Sequence, residues 1–305
     1  MNNTRTRPAP ALHTTRGRGR WRGYLYVLPA LAVYLAFAVL PALHTAYLSF
    51  FDWDGVTLGE WVGLDNYREI LLEDPVLRRS VLNALVLVAF FSLLPIAFGL
   101  AMTGLLARHR RPGMGAYRFL FMLPQVVPLV AVGVTWRWLY GDDGLVNQTF
   151  RAVGLDGVTR AWLGDFDAAL VAVGLVGTWV LSGLCMMLFL SGVQKVDPSL
   201  YEAARLDGAG PVREFVSVTL PHLRGEVAVA MTVTLVAALA SFDIVYVTTN
   251  GGPGEQTTVP GLLVYRLAFS DGRVGLAAAL AVVLSCLILV LVYAVNRLSR
   301  PERAE

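Results

Sequence analysis

Six runs of roughly twenty mostly apolar residues divide this chain, at about Leu25–Leu48, Val81–Leu106, Phe119–Tyr140, Ala168–Gly192, Val227–Val247 and Gly275–Val295. A bilayer core about 30 Å thick is crossed by about 20 helical residues at about 1.5 Å rise per residue. Backbone groups inside it have no water to bond, so runs of this length are read as helices. Composition agrees. The chain is 56% hydrophobic and 15% charged, with mean hydropathy +0.59, against about 45–50% and about 25% in soluble domains. These values exclude a soluble enzyme, a disordered chain and a nucleic-acid-binding module. The predicted fold class is all-α: a polytopic membrane protein with six transmembrane helices and a helix-turn-helix between the fourth and fifth.

Arginine placement sets the orientation. Of the 25 cationic residues, Lys195 is the one lysine. Residues 1–23 carry six Arg and no acid, and the loop after the second run carries Arg108, Arg110, Arg111 and Arg118, again without an acid. Residues 49–79 instead hold seven acids and residues 141–167 hold five. Short Arg-rich segments stay on the cytoplasmic side. Six crossings then bring Arg297, Arg300 and Arg303 back to that side, so both termini are expected in the cytoplasm. The first run is too long for a signal-peptide core, which spans about 7–15 residues, and no small-x-small cleavage site follows it. The expected divisions are an Arg-rich cytoplasmic tail (1–23), a first membrane helix with its outer loop (24–75), a transmembrane domain (76–296) and a cytoplasmic tail (297–305).

Catalytic chemistry does not assemble. Ser182 and Ser191 precede glycines, but His13, His44, His109 and His222 offer neither serine a mid-span base. No histidine pair has the spacing of a zinc protease. Lys195 lies between Gln194 and Val196, so no phosphate-binding loop ending in Gly-Lys-Ser/Thr exists, and any ATPase is another chain. Cys185 and Cys286 lie in apolar runs and read as small hydrophobes rather than as a disulfide or metal site. Two in-span features admit both a structural and a functional reading. Pro124 and Pro128 mark a helix facing protein or a cavity, although proline is also common in membrane helices. Asp243 either faces the bundle interior or water, or sits near an interface at the end of a short span.

The segment 194–221 is the most informative. Asp197-Pro198 reads as an N-cap followed by the first helical residue. Leu200, Ala203 and Ala204 make one small face of a short helix. Gly208 and Gly210 end it, and Pro211 opens a second helix running to Leu220-Pro221. Taken alone, this is either an interfacial amphipathic hairpin or a docking device.

Glu202-Ala203-Ala204-x-x-x-Gly208, with Asp207-Gly208-Ala209 and then Leu220-Pro221, resembles the coupling loop of binding-protein-dependent ABC importer permeases. Trp61-Val62-Gly63-Leu64-Asp65-Asn66-Tyr67, Gly144-Leu145-Val146-Asn147, Trp162-Leu163-Gly164, Thr249-Asn250-Gly251-Gly252-Pro253, Tyr265-Arg266-Leu267-Ala268-Phe269 and Gly275-Leu276-Ala277-Ala278-Ala279-Leu280 resemble the carbohydrate-uptake branch of that family. The resemblance runs from about Tyr24 to Leu298. It implies a bacterial-type inner-membrane permease that is not itself an enzyme. Expected partners are a second permease, two ATPase subunits holding ATP and Mg, an extracytoplasmic solute-binding protein, membrane lipid and a sugar-like substrate. It assigns ATPase coupling to Tyr201, Glu202, Ala203, Ala204, Asp207, Gly208, Ala209, Leu220 and Pro221. By the same analogy, Thr178, Trp179, Ser182, Ser241, Phe242, Asp243 and Tyr246 are candidates for the substrate pathway. Helix–helix packing explains such small and polar residues equally well. An ion-coupled secondary carrier is the alternative function.

Overall fold

The computed structural model describes residues 20–106 and 113–299. The tail arginines before Arg20, together with Arg108, Arg110, Arg111, Arg300 and Arg303, lie outside the described residues. Two compact units divide the chain, Met1–Tyr47 and Leu48–Glu305. Helix α1 (Tyr26–Leu48), which carries a π turn at Leu35–Val39, lies in the first up to Tyr47.

The second unit begins with a short antiparallel pair, β1 (Phe51–Asp52) and β2 (Glu60–Trp61), with Phe51 opposite Trp61. Helix α2 (Pro75–Leu106) follows, capped by Asp74, whose carboxylate accepts from the Val76 and Leu77 amides. Then come α3 (Met114–Val126), α4 (Leu129–Leu139), α5 (Leu145–Ala152) and α6 (Ala169–Val193). Beyond α6 the chain forms α7 (Pro198–Leu206), α8 (Pro211–His222) and α9 (Arg224–Leu239). It closes with α10 (Asp243–Thr248), α11 (Pro260–Phe269) and α12 (Val274–Leu298).

Among the described residues, α1, α2, α6 and α12 are long and apolar enough to cross a membrane. The pairs α3–α4 and α8–α9 are bent by 98° and 70°, and counting each pair as one crossing gives six. Two of the expected runs are not continuous helices. The third run breaks at Val127-Pro128, where Val127 is extended (φ −75°, ψ 134°). Proline forces that conformation on the residue before it and supplies no amide to continue the helix. The fifth run stops at Leu239 and resumes at Asp243, with Phe242 at φ −137°, ψ −59°. Helix α11 was not expected, because its Pro260 start sits in a Gly-rich loop that hides the short apolar turn pattern behind it.

Helix α6 is the spine of this unit. Ala172, Val173, Val176 and Val180 are fully or almost fully buried, packed with Leu87 and Phe91 of α2 and Val132 of α4, while buried Phe189 packs with Ile96 of α2, Leu223 and Ala230. Close approach needs residues without side chains, because van der Waals contact drives association in lipid. A Cβ on Gly99 would lie 2.8 Å from Cys185 Cβ, and one on Gly183 only 2.0 Å from the Phe121 carbonyl oxygen. Polar cross-links add direction: Ser92 Oγ meets Thr234 Oγ1 at 2.7 Å, and Asn83 donates to the Thr258 carbonyl at 2.8 Å. On α5, buried Asn147 donates to the Gly141, Asp142 and Arg160 carbonyls. Its Oδ1 accepts from Trp162 Nε1 at 2.8 Å.

Gly183→Ala is expected to lower the apparent Tm of the purified protein, since the clash is with α3 backbone and overpacking costs about 1–3 kcal/mol. Gly157→Ala, which meets nothing within 4 Å, is expected to leave it unchanged. Thermal unfolding of both variants in detergent checks this.

Candidate functional site: a capped helix-turn-helix and a cavity between two helix breaks

The helix-turn-helix is built by local rules. Asp197 is extended (φ −63°, ψ 126°), and its Oδ1 accepts from the Ser199 amide at 2.9 Å, while Pro198 fills the first helical position. The amide bond holds the Asp197 carboxyl below its usual range. At the other end of α7, Gly208 takes φ +75°. Its amide bonds the Arg205 carbonyl at 3.0 Å, and the Ala209 amide bonds the Ala204 carbonyl at 2.9 Å. This is a Schellman close, and the left-handed residue in it is the one that glycine suits. The fixed glycine of the motif is thus a geometric requirement of the turn.

The two arms are clipped together. Arg205 Nε donates to Glu214 Oε2 at 3.0 Å and Nη2 to Oε1 at 3.4 Å, with the Glu214 carboxylate buried. Tyr201 Oη meets Thr219 Oγ1 at 3.2 Å. The Phe215 ring seats on Gly104 near the end of α2, where a Cβ would stand 3.3 Å away. Glu202, Ala203, Asp207 and Gly208 point outward, as do the apolar Leu206, Val212 and Val216. Leu220 and Pro221 close α8 just before its 70° bend into α9.

The two helix breaks meet at one cavity of about 310 Å³. Gln125, Val127 and Leu129 come from the α3–α4 break, and Ala240, Ser241, Phe242 and Asp243 from the α9–α10 break. Phe91 of α2 and Gly177, Val180 and Leu181 of α6 complete the wall. Ser241 Oγ and Gln125 Oε1 are buried and find no hydrogen-bond partner among the described residues. Buried polar atoms are normally paired. Tyr246 stacks on Phe242 (centroids 5.2 Å, 21°), with Tyr265 against both rings.

The expected pathway residues therefore fall in two places. Ser241, Phe242 and Asp243 share this cavity, with Tyr246 behind Phe242. Thr178, Trp179 and Ser182 instead line a separate, apolar cavity of about 440 Å³ with Phe98, Phe121 and Pro124. Their hydroxyls serve backbone carbonyls: Thr178 donates to Phe90 at 2.6 Å and Ser182 to Thr178 at 2.5 Å. Trp179 meets Trp136 edge-on at 5.6 Å. Gln125, Gly177, Val180 and Leu181 were not anticipated. A lone amide bracketed by Pro124 and Pro128 was the available signal for the first.

Residues 94–301 match the family of binding-protein-dependent transport system inner membrane components. A probable ABC transporter permease protein of Bacillus subtilis (strain 168) is 36% identical, over 88% of this chain and 92% of its own. A diacetylchitobiose uptake system permease protein of Streptomyces coelicolor is 34% identical, over 96% and 89%. A bacterial ABC transporter that imports the acidic polysaccharide alginate has the same fold, with TM-score 0.79, 22% identity and coverage of 93% and 96%. The chain belongs to the binding-protein-dependent transport system inner membrane component family. It is a permease subunit of an ABC importer and resides in a membrane, with ATP hydrolysis on separate subunits.

Since the Asp197 carboxyl is depressed in the folded chain, its capping contribution is present above the ordinary carboxylate range and lost as pH falls through the lowered value. Asp197→Ala is expected to speed hydrogen exchange of the Ser199 amide at neutral pH. The wild type should show the same acceleration only in acid. Exchange mass spectrometry of both proteins across pH checks the sign.

Proposed function

We propose that this chain forms part of the translocation pathway of a sugar importer, with cargo passing through the cavity between the two helix breaks. The observation that carries the reading is that both breaks open on the same cavity. Irregular backbone at membrane depth persists where it lines a water-containing space. Unpaired Ser241 Oγ and Gln125 Oε1 suit cargo hydroxyls, and the Phe242 ring suits the C–H face of a sugar ring. The diacetylchitobiose relative supports a sugar rather than another solute.

In this reading the chain makes six crossings with both termini in the cytoplasm, and the helix-turn-helix projects there. Residues 76–296 form the transmembrane domain, flanked by tails at 1–23 and 297–305 and by the first helix and outer loop at 24–75. Two ATPase subunits bind ATP and Mg, a second permease completes the pathway, and an extracytoplasmic solute-binding protein delivers the sugar. Tyr201, Glu202, Ala203, Ala204, Asp207, Gly208, Ala209, Leu220 and Pro221 form the coupling element. Its exposed Leu206 and small Ala203 present a compact surface for an ATPase groove. Capping and the Arg205–Glu214 clip let the element move as one body, so that closure of the ATPase dimer shifts the permease between two packings. Family membership favours this over an ion-coupled carrier.

Glu202→Lys and Gly208→Val are expected to leave the protein inserted while abolishing uptake into reconstituted vesicles and reducing ATPase co-purification. Gly208→Val puts a β-branched residue at positive φ, which costs about 1–2 kcal/mol. Normal uptake by either variant contradicts the coupling assignment. In intact cells, Asp65→Cys is expected to react with membrane-impermeant thiol reagents and Gly208→Cys to be protected; the reverse pattern inverts the topology.

A further inference from the structure

We propose that the cavity between the helix breaks selects cargo by charge, accepting neutral or cationic sugars and rejecting anionic ones, with Asp243 as the selecting group. This rests on the reading of the cavity as the cargo site. Asp243 is the one charged residue among those lining the cavity; no Arg, Lys or His faces it. Its side chain is exposed at the wall, and no described ion pair or side-chain hydrogen bond engages the carboxylate. Arg137, on the helix against which α10 packs, sends its guanidinium to the Val247 carbonyl at 3.4 Å, one helical turn beyond Asp243 and outside the lining.

The remaining polar groups on the wall are neutral. Gln125 Oε1 is an acceptor without a donor, and Ser241, only 7% exposed, has an equally unpartnered hydroxyl oxygen. The Asp243 carboxylate accepts only, whereas the Ser241 hydroxyl and the Gln125 amide can also donate, so the single charge on the wall carries the selection. An anionic group about 5 Å from Asp243 would meet a like charge in a partly desolvated space. At an effective dielectric near 20 this corresponds to discrimination on the order of 100-fold. The proposal thus narrows the substrate class to sugars without a negative charge, with a filter on this chain.

The test uses the assembled importer in detergent, carrying Ser241→Cys in a Cys185→Ala, Cys286→Ala background. Modification rates are measured with a cationic and an anionic methanethiosulfonate reagent of similar size, each normalised to its rate with a free thiol. The expected result is a normalised preference of at least about tenfold for the cationic reagent, falling to near unity when Asp243→Asn is added. A preference near unity with Asp243 present, or one that Asp243→Asn leaves unchanged, overturns the proposal. If neither reagent modifies the native complex while both modify the unfolded protein, the cavity is not water-accessible. The cargo-site reading itself then fails, and the charge filter falls with it.

Discussion

Within hydrocarbon, a backbone that leaves its helix has no solvent to turn to. This chain leaves its helix twice within its apolar runs, at Val127-Pro128 and at Ala240–Phe242, and both openings face one cavity. Either break facing lipid would strand amides and carbonyls at several kcal/mol each. Placed opposite one another, they share one cavity, to whose largely apolar wall Gln125, Ser241 and Asp243 add polar groups. The rest of the second unit serves to hold those two broken segments in register.

Helix α6 does most of that holding. It contacts α2 through Gly99 and Cys185, meets the α3 backbone through Gly183, and carries Gly177, Val180 and Leu181 on the cavity wall. Its C-terminal end leads within a few residues into the Asp197 cap, so the spine that positions the cavity is covalently continuous with the helix-turn-helix. The Phe215 ring on Gly104 adds a second connection, to α2. In the proposed coupling, a displacement of α7 would pass to the elements that line the cavity through packed backbone, while the Arg205–Glu214 clip ties the two arms together. Short stiff connections suit a device that switches between two packings.

Much of this was legible in the residues, and unevenly so. The capped helix was read correctly from Asp197-Pro198 and Gly208 because caps obey local rules: each needs a particular side chain or φ at one position. The long apolar runs gave α1, α2, α6 and α12 for the same reason, since length against bilayer thickness is a one-dimensional test. The breaks were harder. Pro128 was visible, but proline also kinks membrane helices without ending them, and the α9–α10 break carries no proline at all. Pathway candidates on α6 depended on which face of a uniformly apolar helix turns inward. Thr178, Trp179 and Ser182 drew attention by being polar or aromatic; they line the neighbouring cavity, where the Thr178 and Ser182 hydroxyls bond carbonyls, while the cavity between the breaks is walled by the featureless Gly177, Val180 and Leu181. A helix that is hydrophobic all round does not disclose its inner face.

The claim on which the rest depends is that the two breaks open on water rather than on lipid. Backbone hydrogen exchange of the assembled importer in nanodiscs, resolved at the Leu129, Ser241 and Phe242 amides, tests it directly. The account predicts exchange at these positions much faster than at the mid-helix amides of Val176 and Val180, and slowed when cargo is bound. Protection equal to that of the α6 interior would contradict it.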